Sequence, residues 1–326
     1  MRIHIQNAPD DSLFAITARQ WDEACRRAAG AGAGHDITIG ETVAEFAAAI
    51  SSADALITPP GAIAAGLPAA APHLRLIFCT TAGVDALAPF TQFPTNATLV
   101  CNRGIHGEKA GEYAMMAVLM LATRMPALLA SQRQQRWEPR YTPTLAGRRL
   151  TVVGLGTLGG AAAAHARHFG LHVTGVSRRG LPHSGCQVVV TLAKLDDVLA
   201  ETEILLLACP LTSATRGLID RRRLTLLRIG AGVVNIGRGA VLDEDALCDL
   251  LDADCLGGAI LDVFEREPVP SNHRLWRTRN LIMTPHISAD DPTSYNARTL
   301  EGFFASLNAL RQGLPIPNAV DLAHGY

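Results

Sequence analysis

Apolar residues fall in short runs along two stretches of this chain, one from Arg2 to about Cys101 and one from Arg149 onward. Runs that are apolar throughout are typical of strands buried on both faces of a parallel sheet. The strand-like runs are RIHI, ADALIT, LRLIFC and TLVC in the first stretch, and RLTVVG, LHVTGV, EILLLAC, GVVNIG, CLGGAILDV and NLIMTP in the second. Alanine-rich amphipathic segments such as Val43–Ile50 separate them, so the pattern predicts an α/β fold with two doubly wound parallel sheets.

Two longer helical patterns flank the second stretch. One runs from Ile105 to Met125 and is expected to stop at Pro126, because proline inside a helix removes a hydrogen bond. It is apolar on several faces, which is typical of a helix packed between domains or subunits. The other runs from Thr293 to Arg311 and is expected to end at Gly313. We expect this second helix to return to the first domain.

The length of 326 residues favours two domains over one core. We place residues 1–101 and 292–326 in one domain and residues 102–291 in the other. The chain has 29 basic and 30 acidic residues and a net charge of -1. No overall field would hold nucleic acid or an anionic membrane, so the sequence favours a small-molecule ligand.

Sequence features also bear on location and metal binding. The N-terminus lacks the apolar run of a signal peptide, and the apolar stretch Ala114–Ala122 is shorter than the roughly 20 residues that a membrane span needs. Seven cysteines form no C-x-x-C pair, which is typical of free thiols in a reducing cytoplasm. His165 and His168 share a helix face, but no further ligand completes a metal set. We expect a cytoplasmic protein with no membrane segment and no metal.

The segment TVVGLGTLGG places Gly154, Gly156 and Gly159 in G-x-G-x-x-G spacing between a strand and a helix. In a dinucleotide-binding turn, the first glycine permits the tight turn and the second lets the backbone approach a pyrophosphate. The third allows close packing of helix and strand. Thr157 and Leu158 open the helix, whose free N–H groups favour phosphate. The position between a strand and a helix therefore predicts dinucleotide binding.

The strand LHVTGV ends where a Rossmann fold meets the adenosine ribose. An NAD site presents a carboxylate there for the ribose 2′-hydroxyl. This chain has Ser177, Arg178 and Arg179 instead. A hydroxyl and two guanidiniums bind a 2′-phosphate, which a carboxylate would repel. The sequence predicts NADP rather than NAD.

Three blocks follow the glycine-rich turn in order: NIGRGAVLDEDAL, ILDVFEREP and TPHIS. With CPLTSATRGLID and TTAGVDAL, they resemble the signature blocks of the D-isomer-specific 2-hydroxyacid dehydrogenases. The resemblance covers nearly the whole chain. It implies a flavodoxin-like substrate domain, a Rossmann cofactor domain, an active site in the cleft between them, and usually a homodimer.

The resemblance implies three catalytic residues, Arg238, Glu267 and His286. A guanidinium matches a carboxylate and the adjacent carbonyl oxygen, so Arg238 would orient and polarise a 2-oxo acid. Reduction of a ketone requires a proton on oxygen, which His286 would supply as general acid. A carboxylate bonded to the imidazole favours its protonated form, the role implied for Glu267.

The resemblance also implies further binding residues. Asp262 would bind the nicotinamide carboxamide, and the backbone of the TTAGVDAL loop would hold the substrate carboxylate together with Arg238 and His286. The remaining cofactor contacts are Cys209, Pro210, Thr215, Ile236 and Gly237, and the loop residues are Thr81, Ala82, Gly83 and Val84.

Within the superfamily, Glu267 argues against formate dehydrogenases, which carry glutamine there, and Ala82 argues against phosphite dehydrogenases, which carry lysine. The tail NAVDLAHGY resembles the ending of the glyoxylate/hydroxypyruvate reductase A branch, so we expect a small 2-oxo acid. A bulkier substrate such as phenylpyruvate stays open, because the pocket depends on loops such as Pro59–Gly66. A dinucleotide-sensing regulator of the corepressor type is the alternative outside enzymes.

Overall fold

A computed structural model of the chain describes residues 1–9, 11, 13–28, 34–64, 71–90 and 93–322. The chain divides into two compact units. The first consists of Met1–Ile105 and Asp291–Tyr326, and the second of His106–Asp290. The structure thus has its domain boundaries at 105/106 and 290/291, where the sequence predicts them at 101/102 and 291/292.

The first unit contains a sheet of five parallel strands. The strands are β1 Arg2–Gln6, β2 Asp36–Gly40, β3 Ala55–Thr58, β4 Leu76–Cys79 and β5 Thr98–Cys101. Their order, β2-β1-β3-β4-β5, is the flavodoxin-like order. Every residue of β3 and β4 is buried, as their apolar runs predict. β2 was not predicted: it lies at the sheet edge, and four of its five residues are at least partly exposed, so its sequence DITIG has no continuous apolar run.

Helices of the first unit cover this sheet. Those within the described residues are α1 Ala18–Arg27, α2 Val43–Ile50, α3 Pro60–Ala64 and, from the C-terminal segment, α10 Tyr295–Gln312. α2 matches its predicted bounds. α10 begins at Tyr295 rather than Thr293, because the Asp291 carboxylate accepts hydrogen bonds from Thr293 and Ser294 in a turn ahead of the helix. It ends at Gly313, in a left-handed conformation, as predicted.

Two segments noted in the sequence fall partly outside the described residues. In the loop Pro59–Gly66, residues up to Ala64 are described and Pro60–Ala64 is helical, whereas residues 65 and 66 lie outside. In the tail NAVDLAHGY, residues 323–326 lie outside as well.

The second unit contains a sheet of seven parallel strands. The strands are β6 Arg149–Val153, β7 His172–Ser177, β8 Val188–Thr191, β9 Ile204–Leu207, β10 Gly232–Asn235, β11 Gly258–Leu261 and β12 Leu281–Met283. The order is β12-β11-β10-β9-β6-β7-β8, a Rossmann arrangement with one added strand. The chain order reverses between β6 and β9, the point where such sheets bind ligands. β8, an edge strand of partly exposed residues, was not predicted. The two parallel sheets confirm the predicted α/β class.

Helices of the second unit are α4 Gly107–Ala122, α5 Met125–Arg133, α6 Thr157–His168, α7 Leu195–Leu199, α8 Arg221–Leu226 and α9 Glu244–Asp252. The prediction that Pro126 ends a helix is wrong. α4 ends at Ala122, Arg124 takes a left-handed conformation with φ 58°, and Pro126 lies in the first turn of α5. Proline is tolerated there because the first N–H groups of a helix have no partner within it.

Among the described residues, no single helix is long and apolar enough to cross a membrane. α4 and α5, bent by 65° at their junction, pass that test of length and composition only when taken together.

Candidate active site

The glycine-rich turn joins β6 to α6. Gly154 has φ +93°, and a Cβ there would lie 2.6 Å from the Cys209 Cα, so the position requires glycine. A Cβ on Gly159 would overlap the Gly154 carbonyl oxygen, whereas a Cβ on Gly156 would meet no atom within 4 Å. α6 begins without a side-chain cap. Open space before an uncapped helix N-terminus fits a pyrophosphate.

The next residues predicted to bind the cofactor follow β9 and β10. Cys209 is buried, and burial raises the pKa of its thiol to about 12. A Cβ on Gly237 would lie 2.9 Å from the Cys209 carbonyl oxygen, so these two loops pack backbone against backbone. Ile236 is buried, and the Thr215 hydroxyl donates to the Pro210 carbonyl at 2.6 Å. Cys209 lies against Gly154 of the glycine-rich turn, whereas the Thr215 hydroxyl supports its own loop.

The segment after β7 carries the residues predicted to select the cofactor. β7 ends at Ser177, whose Oγ accepts a hydrogen bond from the Gly180 N–H at 3.1 Å. Arg178 and Arg179 follow and are both exposed. The three side chains therefore occupy the end of the strand that neighbours β6, the position of the ribose in a Rossmann fold.

A histidine and a carboxylate form a close pair beyond β11 and β12. His286 Nδ1 lies 2.8 Å from Glu267 Oε2, and Glu267 Oε1 accepts the Phe264 N–H at 2.8 Å. The hydrogen bond to Glu267 raises the pKa of His286, although burial opposes it. Burial raises the pKa of Glu267, but the hydrogen bonds from His286 and Phe264 outweigh that effect and lower it. The pair thus favours an imidazolium beside a carboxylate.

Arg238 lies close enough to this pair for its charge to lower the pKa of both His286 and Glu267. It follows β10, and one guanidinium nitrogen donates to the Gly237 carbonyl at 2.8 Å. The buried Asn235 side chain fixes the loop, donating to the Arg238 carbonyl and accepting the Gly237 N–H. A Cβ on Gly239 would overlap the Phe264–Glu265 peptide, so the Arg238 loop and the Glu267 loop are in direct contact. The structure brings the three predicted catalytic residues together.

Asp262 follows β11, at the end of the strand where the sequence predicts it. Its side chain is fully buried at the end of β11, and its oxygens accept hydrogen bonds from the Thr284 hydroxyl at 2.6 Å and from the N–H groups of Ile287 and Ser288 at 2.9 Å. These partners flank His286, so the carboxylate supports the turn that carries it. Contact with a nicotinamide carboxamide stays a prediction.

The predicted substrate loop follows β4 in the first unit. The Thr81 hydroxyl donates to the Gly83 carbonyl at 2.7 Å, and the Thr81 carbonyl accepts the Asn102 N–H at 3.0 Å. Val84 is buried, whereas Ala82 is partly exposed. Binding of a substrate carboxylate by Thr81–Val84 stays a prediction.

Four side chains around the predicted catalytic residues were not singled out from the sequence. Glu244, largely buried in the first turn of α9, accepts the Glu265 N–H at 2.7 Å and supports the Glu267 loop. The others are Asn235, Thr284 and Tyr113. Asn235, Glu244 and Thr284 stand inside the motif blocks, which was the available signal; Tyr113 stands outside them. Across the described part of the chain, no group of three or more His, Cys, Asp or Glu side chains is arranged to hold a metal.

Comparison with known proteins agrees with this architecture. Residues 115–288 match the model for the NAD binding domain of D-isomer specific 2-hydroxyacid dehydrogenases. Glyoxylate/hydroxypyruvate reductase A of Salmonella newport is 32% identical over 261 residues, covering 78% of this chain and 82% of that protein.

Two solved structures are similar over nearly the full length. A D-isomer specific 2-hydroxyacid dehydrogenase of Xanthobacter autotrophicus Py2, in complex with NADPH and MES, has a TM-score of 0.84 at 28% identity and covers 99% of both chains. The NADPH-dependent glyoxylate/hydroxypyruvate reductase of Sinorhizobium meliloti, in complex with NADP and sulfate, has a TM-score of 0.83 at 26% identity. It covers 100% of this chain and 99% of that chain.

Proposed function

Because this chain belongs to the D-isomer specific 2-hydroxyacid dehydrogenase family, we propose that it reduces a small 2-oxo acid, such as glyoxylate or hydroxypyruvate, to the D-2-hydroxy acid with NADPH. The observation that carries this proposal is the 2.8 Å hydrogen bond between His286 and Glu267, with the Arg238 charge beside it. Reduction of a 2-oxo acid by NADPH also needs a proton donor and a group that binds the carboxylate, and His286 and Arg238 supply these two functions.

His286 acts as the general acid. Its Nδ1–H donates to Glu267, which leaves Nε2 to carry the proton that the substrate oxygen receives. Since the hydrogen bond to Glu267 raises the pKa of His286, the imidazolium persists to higher pH than in a free histidine. Glu267 touches no reacting atom in this scheme and positions the ring in the protonated state.

Arg238 binds the substrate carboxylate and the neighbouring carbonyl oxygen with its planar guanidinium. Loss of one buried charge partner costs about 2–5 kcal/mol. Simple ketones and aldehydes, which lack the carboxylate, are therefore expected to be very poor substrates.

The turn at Gly154–Gly159 and the N-terminus of α6 fit the dinucleotide pyrophosphate, and Ser177, Arg178 and Arg179 favour a 2′-phosphate over a free hydroxyl. Bound NADPH would supply the hydride that adds to the keto carbon. Two similar enzymes were solved with NADPH or NADP, which supports the same preference here.

Two observations support a small substrate. The tail NAVDLAHGY resembles the ending of the glyoxylate/hydroxypyruvate reductase A branch, and the similar proteins of Salmonella newport and Sinorhizobium meliloti are glyoxylate/hydroxypyruvate reductases. Steady-state kinetics of NADPH oxidation with glyoxylate, hydroxypyruvate, pyruvate and phenylpyruvate test this point. We expect higher kcat/KM for the small acids. A much higher value for phenylpyruvate contradicts the substrate size, and no turnover of any 2-oxo acid contradicts the enzyme assignment.

His286→Gln tests the mechanism. We expect NADPH to bind with nearly unchanged Kd, while kcat falls by about 10²–10⁴, the usual size of general acid catalysis. Turnover at the wild-type rate in this variant would remove His286 from the chemistry.

We also propose a cytoplasmic homodimer. Trp137 and Tyr141, in the segment between α5 and β6, are 98% and 94% exposed, and aromatic residues are enriched at protein interfaces. Sedimentation velocity should give twice the mass of the 34.6 kDa chain. Trp137→Ala/Tyr141→Ala should weaken the association, and a monomeric wild-type protein contradicts the proposal.

A further inference from the structure

A chain of three hydrogen-bonded side chains runs from α4 to the His286 turn. The Tyr113 hydroxyl lies 2.5 Å from Thr284 Oγ1, and Thr284 Oγ1 lies 2.6 Å from Asp262 Oδ1. Tyr113 is 7% exposed and Asp262 is fully buried. All three residues belong to the second unit. The hydroxyl of Tyr113 is therefore linked through Thr284 to Asp262, which supports the turn that carries His286.

The direction of these hydrogen bonds follows from chemistry. An ionised carboxylate only accepts, so the Thr284 hydroxyl donates to Asp262, and the Tyr113 hydroxyl must then donate to Thr284. Burial raises the pKa of Tyr113 to about 12, so its proton is retained at every working pH. The Thr284 hydroxyl thus accepts a hydrogen bond from Tyr113 and donates one to Asp262.

The turn at the far end of the chain is strained. His286 has φ 56°, a left-handed conformation that costs a non-glycine residue on the order of 1 kcal/mol. Its own N–H is held by the Asp262 carbonyl at 2.9 Å, and the next two N–H groups are held by the Asp262 carboxylate. Asp262 thus accepts hydrogen bonds from three successive N–H groups and holds the backbone of the turn that carries His286.

We propose that Tyr113 is a positioning residue, which acts through Thr284 and Asp262 to hold the left-handed turn at His286 and hence the His286–Glu267 hydrogen bond. This rests on the proposed function of His286 as the general acid. The charged groups that face His286 in this unit are Glu267, Arg238 and Asp262. Of these, Asp262 is the one that Thr284 contacts.

Phenylalanine would fill the volume of Tyr113 equally well, so the hydroxyl is what the proposal requires. In Tyr113→Phe, Thr284 loses its donor and the orientation of Asp262 is less restricted. The His286 turn then relaxes toward ordinary backbone angles and the hydrogen bond to Glu267 weakens. Because that bond raises the pKa of His286, the pKa should fall toward its ordinary value.

The experiment compares Tyr113→Phe, Thr284→Val, Thr284→Ser and Tyr113→Phe/Thr284→Val with wild type. We expect Tyr113→Phe to lower kcat about three- to tenfold, as loss of one buried hydrogen bond implies, and Thr284→Val to lower it further. NADPH Kd is measured in parallel, because Asp262 is also predicted to bind the nicotinamide carboxamide, and it should change less than kcat. The basic limb of the kcat–pH profile should move to lower pH in both variants. Thr284→Ser, which keeps the hydroxyl, should restore wild-type behaviour.

The double variant should be no worse than Thr284→Val alone, because Tyr113 acts only through Thr284. Thr151→Val is a matched control: it removes a buried hydroxyl bonded to Thr202 at 2.6 Å, away from the catalytic turn. It should lower Tm without moving kcat or the pH profile. Tyr113 is only a packing residue if Tyr113→Phe, like Thr151→Val, lowers Tm and leaves kcat and the pH profile unchanged. The same holds if the losses in kcat of Tyr113→Phe and Thr284→Val add in the double variant.

A second readout does not depend on activity. NMR titration of the histidine ring signals, with His286 assigned from His286→Gln, should show a lower His286 pKa in Tyr113→Phe and the wild-type value in Thr284→Ser. An unchanged His286 pKa in Tyr113→Phe overturns the proposal. Absence of turnover in the wild type would refute the proposed function and leave this NMR result to decide the positioning role.

Discussion

Glu267→Gln isolates the charge that Glu267 places beside His286. Glutamine has nearly the same shape and keeps an oxygen for the Phe264 N–H, so its NH2 group replaces the carboxylate oxygen that faces Nδ1, and the imidazolium loses both the charge and the acceptor. A hydrogen bond to a charged group contributes about 1.5–3 kcal/mol. The side chains of His286 and Glu267 are 48% and 36% exposed, so solvent screening reduces the contribution to about 1 kcal/mol. That corresponds to a loss in kcat of about fivefold.

The sign of the pH effect follows from the same pair. Glu267 raises the pKa of His286, and ketone reduction needs the imidazolium, so activity is present below that pKa and is lost as pH rises through it. In Glu267→Gln the loss should therefore begin at lower pH. The assay is the initial rate of NADPH oxidation at saturating 2-oxo acid across a pH series, with NADPH Kd measured separately by fluorescence.

Glu265→Gln is the matched control, since its exposed carboxylate stands two positions away and has no hydrogen bond to the imidazole. It removes the same charge from the same loop. It should leave the basic limb where the wild type has it. If Glu267→Gln also leaves the basic limb in place, or if Glu265→Gln moves it equally, Glu267 does not set the protonation of His286.

Three further outcomes are expected. The wild type should prefer NADPH over NADH by about tenfold to several hundredfold in kcat/KM, since charge-assisted hydrogen bonds contribute about 1.5–3 kcal/mol each. Ser177→Asp should reduce kcat/KM with NADPH more than with NADH. Equal kcat/KM for the two cofactors in the wild type contradicts the predicted preference. Gly154→Ala should lower the free energy of unfolding by about 2–4 kcal/mol through backbone strain and overlap. Gly156→Ala, with open space around its Cβ, should unfold like the wild type in denaturant but bind NADPH more weakly. Wild-type NADPH affinity in Gly156→Ala argues against pyrophosphate binding at that turn. Iodoacetamide followed by peptide mass spectrometry should label exposed Cys255 well before Cys209, whose pKa burial raises to about 12; rapid labelling of Cys209 would show that its loop opens.

The amino-acid sequence alone determined the features that reside in a few consecutive residues. Strands buried on both faces show continuous apolar runs, so β3, β4, β9 and β10 were readable without any knowledge of their neighbours. The glycine-rich turn was readable for the same reason, because the spacing of its glycines reflects a local backbone requirement. The motif blocks carrying Arg238, Glu267 and His286 identified the reaction class.

Tertiary structure decided what depends on neighbours that are distant in sequence. β2 and β8 lie at sheet edges, where partial exposure permits polar residues and removes the apolar signal. Pro126 is compatible with either the end or the beginning of a helix, and the left-handed Arg124 before it selects the beginning. Local pattern therefore could not distinguish a single helix from the two that form.

The environment of Asp262 shows the same limit at the catalytic turn. Its place at the end of a strand was predicted, but its partners Thr284, Ile287 and Ser288 are more than twenty positions away, and Tyr113 is 171 positions from Thr284. A hydroxyl in an amphipathic helix has no local feature that marks its partner. Only the packing of α4 against the sheet decides that Tyr113 meets Thr284, because hydrogen bonds are short and directional whereas apolar burial is neither.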